Sequence, residues 1–591
     1  MKRELFVIGL LVFLLSGCMK DVLNQKPLNI ITDKDVWNSE SLVEIYLATL
    51  YDNLPIGFSS SSGVNISQIG ALYTDEAAWN KITPVNNYGE QPFALNTTAY
   101  SAIRMVNYFL EELKKSSLPK NEIQTFIGEG HFIRAYLYFD LVRKYGGMPI
   151  IFEVQQINDK NIEALQMPRN TEGQVWRFVL ADLDTAISDL PTNWDANDQN
   201  RANKYTALAL KSRAMLYAGS IAKYGSVQLN GLLGIPPDSA SFYFHQSLEA
   251  SQEIISSNQY SLYTRLYDPS SKVGDPVANY AAIFTDENNS EIIFQKAYSY
   301  PNKPNSYDNF NIPEGYTTND GSVTDPTLDM VESYEYINGE PGILDTSKQY
   351  NGPNDIFAGK DPRFEASVLH GGSATGWGSP IQLYAGIYAN GQLYNDLAPF
   401  PLDPSMREVG KSGPFPSGEY SKTGFYIKKY MNMNTSVVEP DQSDQNYIDI
   451  RYAEILLNYS EAALELDTAQ VSALNAINQI RARAGISLLS APLTISEVRQ
   501  ERKVELAFED KRFWDIRRWR IGTDLFRGTF IRGLWPYLIY NNGTYKYIYK
   551  IVQGFPIDGG QPRTFLQRDY YSDLSGSYLN TDPKMINNPG W

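Results

Sequence analysis

Apolar residues recur at steps of three and four along several stretches of the chain, the mark of helices that bury one face. Over residues 447–520 the pattern comes three times. Tyr452, Leu456, Tyr459 and Ala463 share one face. Leu474, Ile477 and Ile480 share the next, which runs to Ala484 and stops at Gly485, a residue tolerant of positive φ. A third pattern from Ile495 to Trp519 aligns Leu506, Phe513 and Ile516. None of these helices is apolar all round. Each must be covered by a neighbour, which predicts a stacked antiparallel helix array.

The same period appears earlier. It predicts helices over 40–52, with Leu42, Ile45, Tyr46 and Leu50 inward, and over 99–115 and 121–145, the last closed by Gly146, Gly147 and Pro149. Further helices are expected over 172–189 on Val175, Val179, Leu183 and Ile187, over 203–223 on Ala207, Leu210, Ala214 and Tyr217, and over 241–257. Small residues at helix contacts are a tetratricopeptide habit. The pairs at 99–145, 172–223 and 449–485 read as degenerate repeats of that kind, with 241–257 part of a fourth. Between 260 and 445 the period fails. Gly, Pro, Asn, Asp and Tyr dominate there, and the aromatics are too many for disorder. Long structured loop regions usually carry function. The tail, with Phe555-Pro556-Ile557 and Asn588-Pro589-Gly590-Trp591, is again irregular. The fold class expected is mainly α, a tetratricopeptide-like scaffold of about four helix pairs with long loop insertions and a few short strands.

The third helical pattern interleaves Glu501, Arg502, Glu505, Glu509, Arg512, Asp515, Arg517 and Arg518 with Phe508, Phe513, Trp514 and Trp519. A catalytic acid/base pair needs carboxylates isolated in a cleft. Here every acid has a cation close in sequence, so mutual pairing is the simpler expectation.

The first residues change the picture most. Lys2 and Arg3 precede an apolar run from Leu5 to Leu15, too short for the roughly 20 residues a bilayer span needs. Leu15-Ser16-Gly17-Cys18 follows, a lipobox in which Cys18 takes a diacylglyceryl thioether and further acylation such as palmitate. Two or three chains anchor stably where one is marginal. The divisions expected are 1–17 signal peptide, 18–32 lipidated tether, 33–258 N-terminal helical half, 259–445 loop-rich ligand-facing insertion, and 446–591 C-terminal helical half and tail.

Charge and composition then exclude classes. The 51 Lys plus Arg against 67 acids give −16, so no basic footprint exists for a nucleic acid. One cysteine rules out an intrachain disulfide and a Cys-based zinc site, and His131, His245 and His370 are scattered. No cofactor motif, metal-ligand spacing or catalytic residue is predicted. Tyrosine is unusually frequent, 41 against 26 Phe, and its apolar face and polar tip suit wet binding surfaces.

Three strings carry a resemblance: I-R-Y-A-E-I-L-L-N-Y-S-E-A from Ile450, I-N-Q-I-R-A-R-A-G from Ile477, and E-R-K-V-E-L-A-F-E-D-K-R-F-W-D-I-R-R-W from Glu501. With E-G-H-F-I-R-A-Y-L-Y-F-D-L-V-R-K-Y-G-G-M-P-I from Glu129, they resemble the SusD/RagB family of Bacteroidetes surface lipoproteins. The resemblance implies a lipid-anchored, surface-exposed outer-membrane protein that acts as lid and capture subunit of a SusC-like TonB-dependent transporter. Its implied cargo is an oligosaccharide or polysaccharide, in polysaccharide utilisation, or in the RagB branch a peptide. Where the family usually has Pro-Ile-Pro and a closing Tyr, this chain has Phe555-Pro556-Ile557 and Trp591.

A sugar ring offers an apolar C–H face to aromatic side chains and hydroxyls to amides and charges. Loop aromatics with polar neighbours are therefore the ligand-binding candidates: Trp79 with Asn80 and Lys81, and Tyr88; then Tyr298, Tyr300, Tyr307 and Tyr316; then Trp377 and Tyr384. Trp37, Trp176, Trp514 and Trp519 lie on helical patterns and belong to the core, while Trp194 and Trp535 stay unassigned. Alternative readings are a peptide receptor on the same fold, an outer-membrane glycoside hydrolase with paired carboxylates, and a scaffold that binds only proteins.

Overall fold

The computed structural model describes residues 33–58, 70–80, 98–157, 162–195, 198–287, 289–316, 321–433, 439–555, 557, 559–574, 579 and 582–591. The signal segment, Cys18, the tether, Lys81 and Tyr88 lie outside the described residues.

Helices form where the period predicts them. They are α1 (Glu40–Asp52), α2 (Thr98–Leu113), α3 (Lys120–Tyr145), α4 (Glu172–Asp189), α5 (Lys204–Tyr224) and α6 (Ala240–Ser257) in the first half. In the second half they are α7 (Tyr452–Glu465), α8 (Gln470–Ala484), α9 (Ile495–Glu505) and α10 (Arg512–Arg518). Their ends are written in the sequence. Thr171 with Gln174, and Thr494 with Glu497, form capping boxes that start α4 and α9. Gly485 ends α8 at φ +76°.

Each helix packs on the next: α2 on α3, α3 on α4, α4 on α5, α5 on α6, α6 on α7, and α7 on α8 and α9. The array is mainly helical and tetratricopeptide-like. Helix α6 joins the two halves across the long intervening stretch. Small residues set that contact: a Cβ on Gly219 of α5 would lie 2.7 Å from the Phe244 ring of α6.

Three details depart from the periodic reading. In α1 the buried face is Val43, Leu47 and Leu50, and Ile45 is 65% exposed. Apolar residues border both sides of that helix, and tertiary contact selects the stripe. In α7 every residue from Tyr452 to Ala463 is buried, including Glu454, Asn458 and Glu461. These polar groups face partners instead of water: Arg213 Nε donates to Glu454 (2.7 Å), Arg502 Nη1 to Asn458 (2.7 Å), and Arg518 Nη2 to Glu461 (2.7 Å). Burial pushes the Glu454 and Glu461 carboxyls up, but the adjacent guanidiniums outweigh it and hold both down to about 2. Third, the predicted helix 495–519 breaks after Glu505. Phe508 and Asp510 take left-handed φ of +61° and +59°, and the Phe508 N–H donates to Glu76 Oε1 (3.1 Å).

That break feeds a buried ion network. Arg451 donates to Glu291 (2.6 Å), to Glu505 Oε1 (2.5 Å) and carbonyl (2.7 Å), and twice to Glu509 (2.7 Å each). Arg483 reaches Glu291 (2.9 Å) and Glu505, Arg363 reaches Glu501 (2.5 Å) and Glu505 (2.9 Å), and Lys429 Nζ reaches Glu509 (2.6 Å). Burial pushes Glu505 up, yet Arg483, Arg451 and Arg363 hold it well below the usual carboxylate range. The expected pairing of these acids holds, but the partners come from distant segments.

The 260–445 stretch is ordered by its own aromatic core, in which Phe58, Tyr280, Phe284, Tyr307, Tyr430 and Tyr447 pack together. Strand β1 (Ile292–Lys296) ties it to the scaffold by pairing antiparallel with the strand Tyr447–Arg451 that leads into α7. Two short strands, β2 (Ile387–Ala389) and β3 (Gln392–Tyr394), precede that segment, which is β4. The tail, read as irregular, contains a ten-residue-per-arm hairpin, β5 (Arg532–Asn541) and β6 (Thr544–Gln553). Strand β5 also pairs with β2, which gives a four-stranded sheet in the order β6-β5-β2-β3. Asn542 and Gly543 supply the two positive φ values, +47° and +84°, that a tight two-residue turn requires.

Candidate functional site

Four loop segments meet beside the helix array. Ala77 and Ala78 pair with Pro326 and Asp325, which fixes the strand just before Trp79. Asn80 is buried, and its Nδ2 donates to the Gly321 carbonyl and to Glu419 Oε2, both at 2.6 Å. Trp79 is half-buried and leans on the cluster around Leu328 and Phe425. Nearby, burial and the Glu419 charge raise the Glu314 carboxyl above its ordinary value.

Glu314 leads into Tyr316. The Tyr316 hydroxyl donates to the Ser379 carbonyl (2.7 Å), and its ring lies 5.9 Å from the Trp377 ring at 53°. Lys411 Nζ sits 4.3 Å from the Tyr316 ring centre, a cation–π contact. Both aromatic rings are half-buried. No heavy atom stands within 4 Å of a Cβ built on the adjacent Gly378, so space opens beside Trp377. The result is a tilted ring pair with one ammonium (Lys411) against Tyr316 and the Glu314 carboxylate two residues away, which in turn feels Glu419, the acceptor of buried Asn80. It resembles what a polyhydroxylated ring needs: apolar faces with donors and acceptors at the rim.

The other candidates divide. Tyr298 is half-buried, its hydroxyl held by the Phe58 carbonyl (2.7 Å), and it packs on the same aromatic core as Tyr316 and Trp377. Tyr300 is 55% exposed on the same loop. Tyr307 and Tyr384 are corrections. They are only 4% and 3% exposed, and their hydroxyls donate to the Lys429 and Arg407 carbonyls (2.8 and 3.0 Å), so both are core residues with no ring face to offer. Lys81 and Tyr88 lie outside the described residues. Trp37, Trp176, Trp514 and Trp519 are buried as expected. Trp535 is buried too and donates to the Lys422 carbonyl (2.9 Å), while Trp194 is covered by Arg201 at 4.2 Å.

Lys411, Glu314 and Glu419 were not singled out by the sequence. They sit in Gly- and Pro-rich loops, Glu314 beside Tyr316 and Glu419 beside Tyr420, where the aromatics and not the charges drew attention. The only available signal was their position beside turn residues.

Comparison with known proteins places the chain. The family described as "SusD family" matches residues 283–591, and "Starch-binding associating with outer membrane" matches residues 21–216. A relative, SusD-like protein P38 of Formosa agariphila, is 23% identical over 543 residues, which covers 87% of this chain and 90% of that one. Among solved structures, a SusD-like protein of Bacteroides fragilis is 23% identical with a TM-score of 0.71, covering 96% of this chain and 100% of its own. A second from that organism, described as a SusD-like carbohydrate binding protein, is 21% identical with a TM-score of 0.69, covering 93% and 100%. The first match spans more than half of the sequence, and the chain belongs to the SusD family.

Proposed function

We propose that this SusD-family chain is a cell-surface glycan-capture lipoprotein, held to the outer membrane through Cys18 and serving as lid to a SusC-like TonB-dependent transporter. The observation that carries the glycan reading is the Tyr316–Trp377 pair with Lys411 at its edge and open space at Gly378. Half-buried Trp79 and exposed Tyr300 are further loop aromatics open to ligand, and Lys81 and Tyr88 lie just beyond Trp79 in sequence. Family membership supports the setting, and one relative's description as carbohydrate binding supports the cargo. On this reading the protein binds and hands on its ligand without chemistry of its own.

Calorimetry against panels of neutral oligosaccharides and of peptides tests the cargo. Trp377→Ala is expected to weaken glycan affinity about tenfold, the size of a lost aromatic contact of about 1.4 kcal/mol. Unchanged affinity would remove the ring pair from the site. A reducing-end assay with the bound glycan is expected to show no new ends, and steady turnover would overturn the binding-only reading.

A further inference from the structure

A cavity of about 520 Å³ lies away from the ring pair, where the end of α5, the turn after α10 and the C-terminal tail meet. It shares no lining residue with the Tyr316–Trp377 surface. Its lining holds two guanidiniums, Arg520 and Arg568, with Tyr570, Tyr571, Thr523 and Gln567, and no Asp or Glu. That is unusual in a chain of net charge −16.

Neither guanidinium is neutralised by a carboxylate in hydrogen-bond contact. Arg520 Nη2 donates to the Tyr571 hydroxyl (2.6 Å), and the group lies 4.7 Å from both the Tyr570 and Tyr571 ring centres. Those rings are buried, so they fix the arginine in the cavity wall. Arg568 Nη1 donates to the Gly590 carbonyl (2.8 Å), its guanidinium lies 4.6 Å from the Trp591 ring centre, and its Nε makes only a long ion pair with Asp569 Oδ1 (3.6 Å). Asp569 Oδ2 is taken by the Leu566 N–H (2.6 Å). Behind the wall, Glu172 accepts from the Tyr571 hydroxyl (2.7 Å) and the Gly234 N–H (2.5 Å), and Glu465 from the Tyr224 hydroxyl (2.6 Å). Each guanidinium carries five donors in a planar fork that matches a carboxylate or sulfate. Arg520 is also held at φ +56°, a conformation a non-glycine residue seldom adopts.

We propose that this C-terminal cavity is a second binding site, which takes the carboxylate or sulfate group of an acidic saccharide between Arg520 and Arg568. The word saccharide rests on the glycan reading above; the anion does not. The volume is in the range of small-ligand sites.

The test is calorimetry of the full chain with an oligogalacturonate, with its methyl-esterified neutral counterpart, and with inorganic sulfate, alone and as competitor. The charged oligomer is expected to bind at least about tenfold more tightly than the ester, and less tightly as salt rises. Arg568→Gln is expected to weaken it about tenfold. Arg520→Lys, which keeps the charge but loses the fork, is expected to weaken it by less, and Trp377→Ala to leave it unchanged. Equal affinity for charged and neutral oligomers, or no effect of either arginine substitution in a protein with wild-type melting, would overturn the proposal. Direct binding of sulfate without any binding of the oligogalacturonate would overturn its saccharide part, whatever the fate of the ring-pair site.

Discussion

Replacing Arg451 by methionine tests the buried network at its centre. Arg451 is almost fully enclosed and makes five hydrogen bonds, to Glu291, Glu505 and Glu509. Methionine is close in length and apolar, so the loss is mainly electrostatic. The three carboxylates are not abandoned. Glu291 keeps Arg483 (2.9 Å) and the Tyr263 N–H (3.0 Å), Glu505 keeps Arg363 (2.9 Å) and Arg483, and Glu509 keeps Lys429 (2.6 Å). The cost is therefore that of one uncompensated buried charge, about 3–5 kcal/mol. At the lower end of about 2–4 °C per kcal/mol, since this body is large, the melting midpoint falls by roughly 6–10 °C. Thermal unfolding followed by circular dichroism near pH 7 reads it. Arg451→Lys is expected to fall between the two, because one ammonium does not span three carboxylates. Lys115→Ala, which removes an exposed pair with Glu111 and Glu112, is expected to leave the midpoint unchanged. A drop of less than about 2 °C for Arg451→Met would refute the view that the network fastens the 260–445 stretch to the C-terminal helices.

Other outcomes follow from single features. Burial raises the Glu76 carboxyl to about 8, so its folded form keeps a proton that the unfolded chain loses near pH 4.5, and its contribution to stability falls as pH rises between those values. Glu76→Gln keeps an acceptor for the Phe508 N–H, and its stability advantage over wild type is expected to grow from pH 5 to pH 8; a flat difference would show that Glu76 titrates normally. Gly543→Val forces a β-branched residue into φ +84° with no neighbour to clash, so the cost is backbone strain of about 1–2 kcal/mol, readable as faster hydrogen exchange along β5 and β6. Cys18→Ala is expected to move the protein from the membrane to the soluble fraction, and continued membrane association would refute the anchor. Trp377→Ala lowers glycan affinity about tenfold on the reasoning given for the ring pair.

Local rules carried most of the scaffold. Periodicity found the long helices, and Gly485 and Gly146-Gly147 marked two of their ends because capping is decided within four residues. What local rules missed was decided by contacts far along the chain. Arg451 meets Glu291 across 160 residues and Glu509 across 58, so neither a pattern nor a charge count identifies that knot. Tyr307 and Tyr316 sit in similar polar sequence, yet one opens a short helix and is sealed against Phe58 and Tyr430 while the other leans half-open on Trp377. Composition does not separate them. The β5–β6 hairpin was missed although a local signal was present: Asn542-Gly543 stands between two runs of Tyr, Ile and Leu, a strong turn signal.

Helix α6 and strand pair β1–β4 together have a further consequence. The helical array resumes at α7 as though nothing had intervened, because α6 already supplies the next packing face and β4 is clamped where the excursion returns. The intervening chain is held at both ends and, through Glu291, Arg363 and Lys429, at the buried ion network, so its exchangeable parts are the loops between those points. Lengthening a free segment within it twofold adds only about 0.6 kcal/mol of closure entropy. The trunk can accept rewritten loops, and so new cargo, at little risk to its own folding.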